Sequence, residues 1–283
     1  DNHPTNPFNC ALASDLFLSE AWSADRERCR KAHIPDEVIH RPKWRMALDQ
    51  LKQAIANGVR FWFTVFDEDY GKVPQFWFEL DALGQQAIGE VPANFRVLAK
   101  RPTCRSSQKA HASKRVDNVG RFSPLFREQP WQRVTVREAT RGPIMWEVKM
   151  ARVHLVERSQ TPSRPTDRQY TLIVARNVDT GEFKYFISNA AAGVPLSDLL
   201  TAAFARWQIE LWFERAKQEA GLGAFEVRTY RSLLRHWFCS RLAMYFLAAQ
   251  TQRLRGEKSG DHAGTGGRGN QRFVLDDLAA NVA

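Results

Sequence analysis

One apolar run limits the folds open to this chain more than any other feature. Val59-Arg-Phe-Trp-Phe-Thr-Val-Phe66 is β-branched and aromatic, is too short for a helix, and stops abruptly at Asp67. Such a run is typical of a strand buried on both faces, which occurs in sheets that are covered by helices. Helices are predicted on each side of it, at residues 42–57 and 74–83. An α/β fold is therefore expected.

The rest of the chain supplies more strands and two long helices. Strands are predicted at residues 10–18, at 86–91 and at four stretches between 134 and 188, with a hairpin turn at 179–182. A long helix is expected to run from Pro195 to about Ala220, and a second from Arg231 to about Arg255. The glycine-rich residues 256–283 are expected to form a flexible tail.

The charge balance favours a polyanionic partner. Lys and Arg total 41 against 31 Asp and Glu, which gives a net charge of +10. Cations that neutralise phosphates release condensed counterions, so such an excess suits DNA or RNA. Residues 96–121 are the most basic stretch and are interpreted as a loop that is either solvated or in contact with phosphate. Its cations include Lys100, Arg101, Arg105, Lys109, Lys114 and Arg115, against the single acid Asp117.

Several classes of protein are disfavoured by the same composition. The four cysteines lie far apart and form no zinc-finger spacing, which argues against a zinc site or a disulfide framework. No apolar run approaches the roughly 18 residues of a membrane span. Residues 1–9 lack the basic and apolar regions of a secretory signal. A cytoplasmic protein without a membrane partner is expected.

Asp67 is the first candidate for chemistry. It follows the apolar strand, and in open α/β sheets ligands and metals gather at the carboxyl ends of strands. A buried carboxylate needs a partner, and a hard divalent cation is a suitable one. The alternative is that Asp67 only caps the turn at Tyr70-Gly71.

The second candidate is a row of charges on the first long helix. At about 100° per residue, Arg206, Glu210 and Lys217 fall within roughly 40° of one another. One side of the helix therefore presents a cation, an anion and a cation in line. The alternative is a row of helical ion pairs, each worth a few tenths of a kcal/mol, or about 0.2–0.5.

Together these two motifs resemble the DDE-type insertion-sequence transposases, in the branch that carries a YREK motif. Phe66-Asp67-Glu68-Asp69-Tyr70-Gly71 matches the family's Asp-x2-Tyr-Gly signature, and Arg206-Trp207-Gln208-Ile209-Glu210 with Lys217 matches the YREK motif. Four shorter phrases also look like family sequence, at residues 25–31, 89–92, 225–228 and 233–236. The resemblance extends from about residue 10 to residue 250.

The resemblance implies an RNase H-like mixed sheet with flanking helices and a β-rich insertion before the catalytic helix. The implied divisions are residues 1–94 for the first part of the core and 95–182 for the basic loop and the insertion. Residues 183–255 would then complete the core with the catalytic and C-terminal helices, and 256–283 would form the tail. Trp131 and Trp146, in the insertion, could stack on a displaced base, although core packing is the commoner role of such residues.

The resemblance also implies a reaction and its participants. Asp67 and Glu210 would be the second and third catalytic carboxylates and would each hold one of two Mg²⁺ ions, which Mn²⁺ could replace. Arg206 and Lys217 would contact the DNA backbone near the scissile phosphate. The partners would be transposon ends, target DNA and, as one arrangement, a second copy of the chain, acting on nucleoid DNA in a bacterial cytoplasm.

Two positions depart from the family pattern. Ala203 stands where the motif has its Tyr. In addition, only one predicted strand, at residues 10–18, precedes the first main helix, so the strand that bears the first catalytic Asp is expected to be missing through N-terminal truncation. Asp1 and Asp15 are the nearby acids, and neither is assigned.

Three alternatives to an active transposase follow from these observations. The first is a DNA-binding transposase remnant without a working metal site. The second is a metal-dependent nuclease of the same fold that cleaves without joining strands. The third is a globular interaction protein in which Arg206, Glu210 and Lys217 form a surface ion-pair row.

Overall fold

The computed structural model describes residues 9–99, 113–117, 124–139, 142–157 and 164–260. The helices of this part are α1 (Glu20–Ala24), α2 (Arg26–Lys31), α3 (Lys43–Ala56), α4 (Glu68–Gly71), α5 (Pro74–Ala82), α6 (Pro124–Arg127), α7 (Leu196–Ala205), α8 (Trp207–Glu219) and α9 (Tyr230–Gly260). The strands are β1 (Thr64–Phe66), β2 (Ala87–Glu90), β3 (Arg96–Leu98), β4 (Lys114–Arg115), β5 (Gln132–Ala139), β6 (Gly142–Glu157), β7 (Arg164–Pro165), β8 (Tyr170–Asn177) and β9 (Phe183–Ser188).

The nine strands form one mixed sheet. Its order is β1-β2-β9-β8-β6-β3-β4, and β5 and β7 also pair with β6. β1 and β2 are parallel, with Thr64 opposite Ala87, whereas the remaining pairs are antiparallel. The predicted α/β class and mixed sheet are confirmed. Because β8 and β9 link β2 to β6, the strands of residues 95–182 continue the same sheet, and their assignment to an insertion stays a prediction.

Helices cover both faces of the sheet. On one face α3 and α5 pack on the strands, with Leu48, Trp77 and Leu80 fully buried. On the other face α7 packs through Leu199 and Ala203. These apolar positions follow the helical and strand periods of the sequence, so the sheet is buried on both sides where α7 and α5 overlap.

Most predicted elements occur close to their predicted places, including α3, α5, β2, β6, β8 and β9. The hairpin turn after β8 is also present, with Gly181 at φ 70°. The predicted strand at residues 10–18 is wrong, because residues 9–19 form no regular element. Leu16 and Leu18 instead pack with Cys29 and Ile34 beside α2, so their burial comes from a helix and not from a neighbouring strand.

Two other predicted elements have different bounds. The strand predicted at 59–66 is limited to Thr64–Phe66, the three residues that pair with β2, and Trp62 before it is exposed. The helix predicted from Pro195 to Ala220 is two helices, with a turn at Arg206. The two helices have different partners, because α7 packs on the sheet whereas Trp212 and Ala216 of α8 pack against Met244 of α9.

Parts of the remaining predictions lie outside the described residues. They are Asp1, the basic stretch at Lys100, Arg101, Arg105 and Lys109, and residues 261–283 of the tail. Lys114 and Arg115 are described and form β4, where Arg115 makes an ion pair of 2.8 Å with Asp117. In the described part of the chain no helix is long and apolar enough to cross a membrane.

Candidate active site

A cavity of about 900 Å³ lies along the edge of the sheet at β1. It is bounded by β1, by α3, by the start of α4 and by the α7–α8 pair. The charged and polar side chains that line it are Asn9, Gln50, Thr64, Asp67, Tyr70, Arg206, Gln208 and Glu210. Within the described residues β1 is hydrogen-bonded to β2 alone, so its other edge faces this cavity.

Asp67 stands where β1 ends and α4 begins. Its Oδ1 accepts a hydrogen bond of 3.0 Å from the backbone N–H of Asp69, so the predicted capping role is real. Among the described residues no contact engages its Oδ2, and the residue lines the cavity. One carboxylate oxygen therefore fixes the side chain while the other remains available to a ligand.

The turn after Asp67 is held in place by Gly71 and Tyr70. A Cβ at Gly71 would lie 1.9 Å from the carbonyl oxygen of Glu90, so only glycine allows α4 to approach β2 this closely. Tyr70 lines the cavity beside Asp67. Burial, and then the negative charges of Asp67 and Asp69, raises the pKa of the Tyr70 hydroxyl, which keeps it a neutral donor and acceptor.

Glu210 approaches the same cavity from α8. Its Oε1 accepts a hydrogen bond of 2.5 Å from Arg206 Nη2, one turn earlier on the helical face. The Glu210 side chain is 63% exposed, so this ion pair is open to solvent and adds little stability. The structure thus brings Asp67 and Glu210, 210 − 67 = 143 residues apart in sequence, to one cavity together with Arg206.

Lys217 takes a different position from the other predicted site residues. It borders a neighbouring groove of about 440 Å³ with Glu210, Phe213, Glu214 and Gln218. Glu210 is common to the groove and the larger cavity, whereas Lys217 lines only the groove. Arg206 and Lys217 therefore border different spaces, and Glu210 lines both.

Ala203 and Asp15 both lie apart from the cavity lining. Ala203 is buried between α7 and the sheet, so this position of the motif faces the core and not solvent. Asp15 makes an ion pair of 2.5 Å with Arg41. Asp15 is not among the residues that line the cavity.

The two tryptophans of the predicted insertion differ in exposure. Trp146 is buried and packs on Phe204 with ring centroids 5.1 Å apart, so it is a core residue. Trp131 is half-buried, and the cations of Lys149 and Arg176 lie 4.8 Å from its ring. The ring of Trp131 is therefore already engaged by two cations.

The donor atoms suit a hard cation in type but not in number. Carboxylate oxygens are the ligands that Mg²⁺ prefers, and Asp67 and Glu210 supply them. In the part of the chain that the structure describes, no group of three or more His, Cys, Asp or Glu side chains is placed to hold a metal ion. A complete two-ion site therefore needs a further ligand.

Two buried polar atoms on the cavity wall were not indicated by any sequence pattern. Thr64 Oγ1 and Trp212 Nε1 are buried and, among the described residues, have no hydrogen-bond partner. An unpartnered buried donor or acceptor costs about 1–3 kcal/mol, so such atoms are normally paired in folded proteins. Their burial depends on packing between distant segments, so only the tertiary structure reveals it.

Comparison with models of protein families finds a match. The family model described as DDE superfamily endonuclease matches residues 2–143, which is half of the chain and includes Asp67, Tyr70 and Gly71. A search of curated proteins finds no match to the chain.

Proposed function

This chain belongs to the DDE superfamily of endonucleases, and on that basis we propose that it is the catalytic part of a DNA transposase. Its mixed sheet with flanking helices is RNase H-like. The proposed reaction is cleavage of a phosphodiester at a transposon end, followed by attack of the freed 3′-hydroxyl on target DNA. The observation that carries the proposal is the meeting of Asp67, Glu210 and Arg206 at one cavity.

Asp67 and Glu210 are the residues that would hold divalent ions, in the proposal Mg²⁺ with Mn²⁺ as a substitute. Such ions activate the attacking oxygen and stabilise the leaving oxygen of an in-line displacement at phosphorus. Asp67 is prepared for this role, because its Oδ1 is fixed by the Asp69 N–H and its Oδ2 has no contact among the described residues. In Glu210 the Oε1 accepts the hydrogen bond from Arg206, so Oε2 would be the oxygen offered to an ion while that bond is kept.

Arg206 is proposed to exchange its partner when DNA binds. In the free protein its guanidinium neutralises Glu210, at 2.5 Å. A DNA phosphate offers the same guanidinium a charge-assisted and often bidentate contact. Lys217, in the adjacent groove, would contact the backbone on the other side of Glu210. Both contacts would position DNA without reading its sequence.

The first catalytic carboxylate is proposed to reach the site on an extended segment that pairs with the open edge of β1. Three features of the cavity support this: the unpaired edge of β1, and the unpartnered Thr64 Oγ1 and Trp212 Nε1. A strand added to a sheet edge pairs the open backbone groups and can supply partners to such side chains.

Metal-dependent nicking of supercoiled DNA tests the assignment. The chain is assayed with Mn²⁺ or Mg²⁺ beside Asp67→Asn and Glu210→Gln. Matched controls are Glu68→Gln, next to Asp67, and Glu219→Gln, on the far side of α8. Loss of nicking in the two site variants alone supports the proposal, and substantial nicking by either of them refutes it.

A DNA-binding remnant is the second candidate. It is favoured because, among the described residues, no group of three or more His, Cys, Asp or Glu side chains is placed to hold a metal ion. Salt-sensitive DNA binding without metal-dependent nicking would support the remnant. Nicking together with joining of the cut ends to target DNA would support the transposase over a simple nuclease.

Assembly on DNA belongs to the same proposal. Two copies of the chain are proposed to act on paired transposon ends, as the resemblance to insertion-sequence transposases implies. Light scattering of the protein mixed with end DNA measures this directly. A complex that contains one copy per DNA end pair would contradict it.

A further inference from the structure

Helix α9 exposes an apolar surface that is separate from the candidate active site. Phe238, Leu242 and Phe246 are 57%, 55% and 59% exposed. At about 100° per residue these three lie within roughly 80° of one another, on the side of α9 opposite Met244. Met244 is buried against α8, so this surface, called here the outer face, points away from the body of the protein.

The outer face is flanked by positive charge. Arg231 and Arg235, both exposed, lie on the same side of α9 before Phe238, and Arg253 follows Phe246. Residues 230–254 contain four Arg and no Asp or Glu. Two copies of this face would bring like charges together, which disfavours self-association through it. An acidic segment with apolar side chains is the partner that complements it.

The chain itself contains such a segment. Residues 273–283, Phe-Val-Leu-Asp-Asp-Leu-Ala-Ala-Asn-Val-Ala, carry two acids, no base and eight apolar side chains. The stretch before them, residues 261–272, includes Gly264, Gly266, Gly267 and Gly269. The 13 residues from Gly260 to Phe273 can span at most about 43 Å. Leu242 lies 18 residues before Gly260 on α9, which is a distance of about 27 Å.

We propose that residues 273–283 bind the outer face of α9 of the same chain. Leu275 and Leu278 cover apolar area around Phe238, Leu242 and Phe246, while Asp276 and Asp277 meet the flanking arginines. The contact is intramolecular, because the short connection raises the effective concentration of the segment at the face to the millimolar range, about 1 mM or more. The proposal is independent of the catalytic assignment, since none of these residues lines the cavity.

Cys239 provides a reporter for this contact. Its thiol is free and exposed on α9 beside Phe238, whereas Cys29 is buried. The rate of maleimide labelling is measured in a background with Cys10→Ser and Cys104→Ser, with and without Leu275→Asp and Leu278→Asp. If the outer face is covered about 80% of the time, the Cys239 thiol should react with maleimide about fivefold more slowly than it does when the face is free.

The matched control is Thr265→Asp with Asn270→Asp, which adds the same charge to the glycine-rich stretch. Labelling is expected to accelerate in the leucine double variant and to stay unchanged in the control, with circular dichroism equal in all three proteins. Equal labelling rates in the parent and the leucine variant would overturn the proposal.

A disulfide distinguishes the segment of the same chain from that of a second copy. Leu278→Cys in the same background should form a disulfide with Cys239 under mild oxidation and yield a monomer by mass. Disulfide-linked dimers, or protection of Cys239 that rises with protein concentration, would overturn the intramolecular contact.

Discussion

Replacement of Gly71 by Ala should destabilise the protein because α4 packs directly on the backbone of β2. The new Cβ would lie 1.9 Å from the carbonyl oxygen of Glu90, 3.0 Å from its carbonyl carbon and 3.2 Å from Val91 Cγ1. Glu90 is fixed by its pairing with Phe186 of β9, so the clash cannot be relieved by a side-chain rotation. Helix α4 itself must move away from the sheet.

The expected loss of stability is about 2 kcal/mol. Overpacking against fixed atoms costs about 1–3 kcal/mol, and contact with backbone places this variant near the upper limit. The lower backbone entropy of Ala in a helix returns about 0.5–1 kcal/mol. For a domain of this size, about 2 kcal/mol corresponds to a decrease in melting temperature of about 4–8 °C.

Thermal unfolding followed by circular dichroism measures the effect, with Gly193→Ala as the matched control. A Cβ at Gly193 would meet no atom within 4 Å, so the control should melt close to the parent. If Gly71→Ala also melted within about 1 °C of the parent, α4 would not be packed on β2 as described. In that case this packing would not be what positions Asp67 at the cavity.

Three further outcomes are expected. Arg206→Ala should reduce the slope of log affinity for end DNA against log salt concentration by about 1, as measured by fluorescence anisotropy. The control is Arg215→Ala, on the other side of α8. An equal reduction of the slope in this control would indicate non-specific attraction. Tyr170→Phe removes a hydroxyl that donates to Asp81 and should cost about 1–2 kcal/mol in urea unfolding at pH 7. Burial, and then the hydrogen bond to Asp81, raises the pKa of Tyr170, so its contribution is complete below the unfolded pKa of about 10 and is lost as the pH rises above it. The variant should therefore lose less stability than the parent between about pH 9 and 11, and parallel curves would contradict this. Trp212→Phe removes a buried N–H that has no partner in the described residues, so it should change the free energy of unfolding by less than about 1 kcal/mol. Trp212→Ala should cost about 3–5 kcal/mol. Similar losses of stability in both variants would show that the N–H is paired.

The sequence by itself determined the fold class and the two halves of the candidate site. The apolar run before Asp67 indicated a covered sheet, and the spacing of Arg206 and Glu210 indicated one helical face. These are local properties, because strand and helix periods and turn residues act between neighbours in the chain. For the same reason the positions of α3, α5 and the strands after Trp131 could be predicted closely.

Tertiary structure decided whatever depends on contacts between distant segments. Leu16 and Leu18 belong to a strand-like stretch but pack beside α2, and a helix offers no open backbone groups with which a strand could pair. The long helix is interrupted at Arg206, because α7 packs on the sheet and α8 packs on α9.

The arrangement of the site was decided in the same way. Asp67 and Glu210 share a cavity, while Lys217 faces a neighbouring groove. Their positions on separate elements are fixed by the burial of Phe66 against α5 and of Trp212 against α9. That burial joins residues far apart in the chain, and no local pattern in the sequence encodes it.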